Sequence, residues 1–219
     1  MTDSSPTQRT EVRRLPERGA YDRRIIDSIL DEALICYVAI VHDGHPVVVP
    51  TIHARVGDTL YIHGSPASRM LRAMKRGAEI CVTTAIVDGL VVARTPFHNS
   101  MNYRSVVAYG VPRVVDDPDE QWAAFAAITE HVLPGRWIDS RPPNDKETRG
   151  TLIVAITLDE ASAKVRVGGP KDEPEDYGLP IWAGVVPVVE RYGSPIVDEN
   201  LEVDIGVPEY LADYRRGGE

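Results

Sequence analysis

The chain has 219 residues, 43% of them hydrophobic, and a formal net charge of −9. That length suits one well-buried domain, or one with an appended segment, because domains usually hold roughly 100–200 residues. The acidic balance argues against general nucleic-acid binding, although a local basic site for a phosphorylated small ligand is compatible with it.

The apolar runs at 33–41 and 152–156 fall far short of the roughly 20 residues that cross a membrane, and the opening MTDSSPTQRTEVRRL has no apolar signal core. A cytoplasmic protein with no membrane partner is therefore expected. Residues 1–18 are polar and charged, include Pro6 and Pro16, and read as a flexible arm. A single domain over 19–190 and a tail over 191–219 follow. Within the domain, Tyr21, Ile25, Ile26, Ile29 and Leu30 recur at three and four, which predicts a helix over 22–32.

From residue 34 the period is that of strands. A strand over 34–41 meets His42-Asp43-Gly44-His45, where Asp-Gly predicts a hairpin, and strands over 46–55 and 59–63 flank Gly57-Asp58. A basic helix intervenes. Segments 79–86 and 90–95 then flank Asp88-Gly89, which reads as a second hairpin turn, and 102–109 and 111–115 continue past a bend at Gly110 and Pro112. Strands this closely spaced point to an antiparallel barrel. Asp117-Pro118 opens a helix to about residue 131 that covers one end of the barrel, and 133–148 reads as an ordered loop or lid. Strands follow over 151–158, almost wholly apolar and so central, and over 163–167. GGPKDEPEDYG at 168–178 excludes a regular element and delivers the apolar 179–189, with Trp182 near its start; the tail carries a short helix over 208–215.

The chemistry-bearing residues exclude several classes. Cys36 and Cys81 sit in apolar strand patterns and read as buried free thiols. His42, His45, His53, His63, His98 and His131 show no zinc spacing and have no acidic or thiol ligand placed to complete a site. Gly64-Ser65-Pro66 follows a strand but lacks the second glycine of a nucleophile elbow, and neither GxGxxG nor GxxxxGK occurs.

Two stretches remain. In TLYIHGSPASRMLRAMKR, residues 59–76, Leu60 and Ile62 share one strand face and Tyr61 and His63 the other; Ser65 suits a helix N-cap and Pro66 the first helical position. Ala67, Met70, Leu71 and Met74 then form an apolar stripe beside Arg69, Arg72 and Arg76. Small residues before a helix, with arginine one turn in, describe an anion site; a surface helix with solvated arginines reads the same way. In HNSMNYRSVVAYG, residues 98–110, Asn102, Tyr103 and Arg104 open an apolar strand, equally readable as an edge strand with a polar start.

Together, HPVVVPT (45–51), YIHGSPASRML (61–71), NYRSVVAYG (102–110) and PIWAGVVPV (180–188), behind the opening helix, resemble the FMN-binding split-barrel superfamily over roughly residues 13–189. The resemblance is to the pyridoxamine-phosphate-oxidase-related flavin-nucleotide-binding proteins that include nitroimidazole-resistance proteins. It implies a mainly β fold with peripheral helices, a six-stranded antiparallel split β-barrel, forming a homodimer with FMN in two interface clefts. Carried onto this chain, it implies the FMN phosphate at residues 63–69, with Ser65, Ser68 and Arg69 as donors beside Gly64. The ring would lie along Val49, Pro50 and Thr51, with Tyr61 and His63 near the ribityl chain and Tyr103, Ser105 and Trp182 lining the cleft, some of them from the second subunit. Relatives often carry glycine at the position of Ser68 and a second basic residue at that of Met70. The implied activity is an oxidoreductase passing electrons or hydride between a reduced nicotinamide and a small-molecule substrate. A non-catalytic flavin or haem carrier or sensor, and a deazaflavin-dependent reductase, use the same barrel. The basic residues that hold the substrate phosphate in authentic pyridoxamine-phosphate oxidases have no counterpart, since Arg191, Arg215 and Arg216 lie in a different context.

Overall fold

The computed structural model describes residues 6–203 and 205–215. Residues 1–5 of the expected arm and 216–219 of the tail, Arg216 among them, lie outside the described residues. Helix α1, Arg23–Glu32, is capped by Asp22, whose carboxylate accepts from the Arg24 N–H at 2.9 Å. Its apolar stripe, Ile26, Ile29 and Leu30, is buried, each side chain contributing about 1.5–3 kcal/mol.

Ten strands form the antiparallel sheet: β1 (Gly19–Ala20), β2 (Ile35–His42), β3 (His45–Val56), β4 (Thr59–Gly64), β5 (Ile80–Val92), β6 (Ser100–Gly110), β7 (Arg113–Val114), β8 (Leu152–Thr157), β9 (Glu160–Arg166) and β10 (Gly184–Pro187). The order is β1-β9-β6-β5-β2-β3-β4-β8-β7, with β10 added on β5. The expected six strands are therefore ten. Three of the ten, β1, β7 and β10, are two to four residues long and too short to show a period of two.

The Asp-Gly signal succeeds once and fails once. Asp43 and Gly44 both have positive φ, +50° and +77°, and make the two-residue turn between β2 and β3. Asp88-Gly89 is no hairpin. Strand β5 runs straight through it, with a register shift against β6 between Val87 and Gly89. Glycine is needed there for space, since a Cβ on Gly89 would lie 2.9 Å from Val185 Cγ1 of β10.

The main core gathers α1, the inward residues of β2, β4, β5, β6, β8 and β9, and helix α2, Arg69–Lys75, which buries Met70, Leu71, Ala73 and Met74. A second core lies on the other face of β4 and β8, where Tyr61, Ala54, Ile153 and Ala155 meet Ala124 and Ile128 of α3, Pro118–Val132. Strand β8 is thus covered on both faces, which explains its unbroken apolar run. Within the expected lid, α4, Asp145–Arg149, closes on an Asn144–Glu147 capping box. In the tail, α5 spans Glu209–Ala212. Among the described residues no helix is long and apolar enough to cross a membrane.

Candidate functional site

Strand β3 changes partners halfway. Residues 45–52 pair with β2 and residues 53–56 pair with β4, so the edge of β3 opposite β2 has no strand partner over 45–51 among the described residues. The prolines fix which backbone groups face that edge. Pro46 and Pro50 have no N–H to donate, so the positions that exchange hydrogen bonds with β2 are the odd ones, Val47, Val49 and Thr51. Val48 and Pro50 turn their polar backbone groups outward to the open edge. On the side chains the same alternation puts Val49 against the main core and leaves Val48 and Pro50 exposed.

Beyond the open edge, β4 ends at Gly64 and the chain turns into α2. Ser68, not Ser65, is the N-cap of α2, and its hydroxyl makes no capping hydrogen bond. Ser65 instead closes the turn before the helix: its Oγ accepts from Ala67 N at 3.2 Å and its carbonyl from Ser68 N at 2.9 Å. Pro66 sits in that turn and not at the first helical position. Arg69 is exposed, and among the described residues no ion pair engages it. A free hydroxyl, a basic turn and an unneutralised guanidinium together make a donor set that fits a phosphate.

On the other side of β3 lies a cleft of about 890 Å³, floored by Ile35 and Tyr37 of β2 and residues 84–88 of β5 and roofed by Val188, Val189, Glu190 and Tyr192. Its volume is that of a cofactor site. None of the twelve predicted residues lines it, yet three flank it. Pro50 is the cross-strand partner of Tyr37, Tyr103 that of Val87 and Ser105 that of Ala85. Tyr103 and Ser105 lie three strand spacings from β3, about 14 Å away. Trp182, just before β10, is 66% exposed and stacks over Gly184. Tyr61 faces the other way. It is 8% exposed against α3, and its hydroxyl donates to Glu120 Oε1 at 2.8 Å. Burial, then the Glu120 hydrogen bond, raises the Tyr61 phenol above its ordinary range.

His63 shares that face of β4, and its Nδ1 is buried without a hydrogen-bond partner. Burial holds its imidazole below the usual histidine value, so the ring is neutral. The other histidines are engaged differently: His53 and His131 stack at 4.7 Å and bond the Leu30 and Ala33 carbonyls, His42 lies beside Asp43 and His98 beside Glu173. Cys36 is a buried free thiol, pushed up to about 12 by desolvation, while Cys81 is only half-buried.

Sequence reasoning missed the ionic frame of the cleft. Arg104 of β6 binds Glu32 at the end of α1 and Asp88 in the β5 bulge, with Arg104 Nη2 2.7 Å from Glu32 Oε1 and 2.7 Å from Asp88 Oδ1. The two carboxylates hold the Arg104 guanidinium far above its ordinary range. Asp88 in turn accepts Val188 N at its carbonyl, which fixes the roof. Reading Asp88-Gly89 as a turn hid this cluster. The only local signal was an arginine at an inward strand position. Residues 6–18 also do more than trail: Arg9 bonds Glu79 and Glu160 and lies over the Tyr109 ring, strapping the arm to β6 and β9.

An antiparallel barrel split along one strand, with a basic turn on one side and a cofactor-sized cleft on the other, defines the split-barrel class. Residues 22–165 match the family model described as pyridoxamine 5'-phosphate oxidase, and this chain belongs to that family. Over 98% of its length it is 34% identical to the flavocytochrome Anf3 from Azotobacter vinelandii, covering 100% of that chain with a TM-score of 0.91. It is 37% identical to an FAD and haem binding protein from Mycobacterium smegmatis, covering 88% of this chain and 94% of that one, TM-score 0.84. It is 26% identical to a candidate 5-nitroimidazole antibiotic resistance protein from Bacteroides thetaiotaomicron, covering 66% and 83%, TM-score 0.56. A search of curated proteins returned no match.

Proposed function

We propose that this chain is a flavin-dependent redox protein that works as a homodimer, the flavin lying across the open edge of β3. The observation that carries the reading is that edge itself, left unpaired over 45–51 between the Tyr37 cleft and the turn at residues 65–69. Ser65, Ser68 and Arg69 hold the phosphate, and the outward backbone of Val48 and Pro50 supports the ring beside Tyr37, with Val49 and Thr51 fixing the strand from the β2 side. The charges set the direction: Glu32, Asp88 and Glu190 around the cleft repel a phosphate, whereas Arg69 attracts it. Bound there, a flavin supplies hydride or electron transfer, and the protein's part is binding and orientation.

The slot described holds the FMN half, which FMN and FAD share. The name of the M. smegmatis relative favours FAD. Tyr103, Ser105 and Trp182 complete the site from the second copy. A reduced nicotinamide is the expected donor and a small molecule the acceptor.

The test is the absorption spectrum of the purified protein, with chromatography of the released cofactor and light scattering of the native mass. Flavin bands and a mass twice 24.2 kDa are expected. A protein that stays colourless after incubation with FMN and with FAD overturns the reading.

A second reading adds haem, favoured by the two relatives named for it. His63 is the imidazole that suits an iron, being neutral and free at Nδ1. A Soret band lost in His63→Ala, with flavin retained, is the expected result. A Soret band unchanged in that variant moves the ligand elsewhere.

A further inference from the structure

Helix α2 carries more positive charge than a flavin phosphate needs. Met70, Leu71, Ala73 and Met74 are buried, and each exposed position of the helix and its C-cap is a cation: Arg69, Arg72, Lys75 and Arg76. Among the described residues none of the four makes an ion pair. Other cations of the chain, such as Arg14, Arg18, Lys164 and Arg166, also lack an ion pair among the described residues, but α2 gathers four on one short exposed stretch, whereas Arg9, Arg23, Arg55, Arg94, Arg104 and Arg113 all find carboxylates. Like charges three and four apart on a helix repel each other. The helix C-terminus favours Arg72 and Lys75 in the last turn and Arg76 at the C-cap, but it gives nothing to Arg69 at the start of the helix. Glu79, the nearest acid in sequence after the helix, is bound by Arg9.

We propose that the Arg72–Lys75–Arg76 face of α2 is the docking surface for a small acidic electron-carrier protein. The kind of partner rests on the redox reading above; the surface itself rests on the charge pattern. A carrier protein would take the place of one of the two small molecules named above as donor and acceptor, and α2 begins at the residue proposed to hold the flavin phosphate, so a carrier seated on this face meets the cofactor at its Arg69 end. The net charge of −9 repels an acidic partner at long range, and the four adjacent cations of α2 attract it at this face, which orients the encounter. The net charge of −9 disfavours a long polyanion such as RNA, which needs cationic surface along an extended track.

The experiment is a titration of the isotope-labelled holoprotein with an oxidised plant-type [2Fe–2S] ferredoxin as the acidic probe, followed by amide NMR shifts at low and at 0.3 M salt. Binding at low salt, shifts centred on 69–77, and at least tenfold weakening both at high salt and in Arg72→Glu/Lys75→Glu/Arg76→Glu are expected. The Lys versions of the two arginines should bind as the parent does. No binding at low salt, shifts centred elsewhere, or equal binding by the charge-reversed variant overturns the proposal. So does loss of flavin in that variant, since the stripe then belongs to the cofactor. Because binding is read without any redox step, the surface is tested even if the protein proves to hold no flavin. In that outcome the redox reading fails and the docking result stands by itself.

Discussion

Arg69 and Glu120 show what single side chains decide here. Among the described residues Arg69 pairs with no carboxylate, so Arg69→Ala strands no charge and removes only the proposed ligand contact. Its replacement should weaken flavin binding by about 1.5–3 kcal/mol, the scale of a charge-assisted hydrogen bond, with the fold unchanged by circular dichroism. Fluorescence quenching of added flavin measures it. Glu120 is the reverse case. It accepts from Arg113 and from Tyr61, and these hold its carboxyl below the usual value, Arg113 contributing most. A depressed folded pKa stabilises above the unfolded value, so the contribution is complete at neutral pH and is lost as pH falls below about 4.5. Glu120→Gln keeps the acceptor for Tyr61 and removes the charge. Urea denaturation should therefore show the parent more stable than the variant at pH 7 and the gap closing in acid. That a turn of small residues leads into a basic helix was legible in sequence because turns and helix stripes are local, although the cap is Ser68 and not Ser65. The orientation of Tyr61 was not, since its partner comes 59 residues later on a helix whose packing no local pattern records.

At the scale of elements, β5 is the piece that sequence reasoning mistook and that the cleft depends on. Asp-Gly is a strong turn signal only where the chain is free to reverse. Here β6 on one side and β10 on the other hold the strand straight, and the extra residue is absorbed as a bulge. Gly89→Ala would push a methyl to 2.9 Å from Val185 Cγ1 and 3.2 Å from the Val186 carbonyl. It should cost about 1–3 kcal/mol by chemical denaturation, as overpacking does, and should loosen β10 first. The Asp43-Gly44 turn, in contrast, was read correctly because both residues take the positive φ that the two-residue turn demands. The cleft itself was out of reach of any periodicity. It forms where the chain returns after β10, a return anchored by the backbone bond from Val188 N to the Asp88 carbonyl at 3.1 Å and by the Tyr192 ring against Tyr214.

For the whole molecule, the outer face of β2 and β3 stands out. Ile35, Tyr37, Val41 and Val48 are 41%, 42%, 68% and 59% exposed on one side of the sheet, a row of apolar groups that a monomer seldom leaves in water. The dimer proposed above covers it. Val41→Asp with Val48→Asp should halve the native mass by light scattering and lower flavin content together, because in the proposed dimer the second copy completes the cleft. A monomer that retains its flavin would place the whole site within one chain. The split barrel and its family were readable from ordered blocks of sequence, since alternation and turn residues repeat along the strands. Which strands stay apart was not readable: the gap between β3 and β4 arises from long-range pairing with β2 and β8.

That gap also makes β3 a built-in reporter. In the free protein the Val47 and Val49 amides are committed to β2, while the Val48 amide between them faces the open edge. Hydrogen–deuterium exchange should then alternate residue by residue along one strand, slow, fast, slow, a pattern that neither a fully paired strand nor a frayed one produces. Adding flavin should slow Val48 alone of the three, so a single amide signal would follow occupancy of the site without any chromophore being observed.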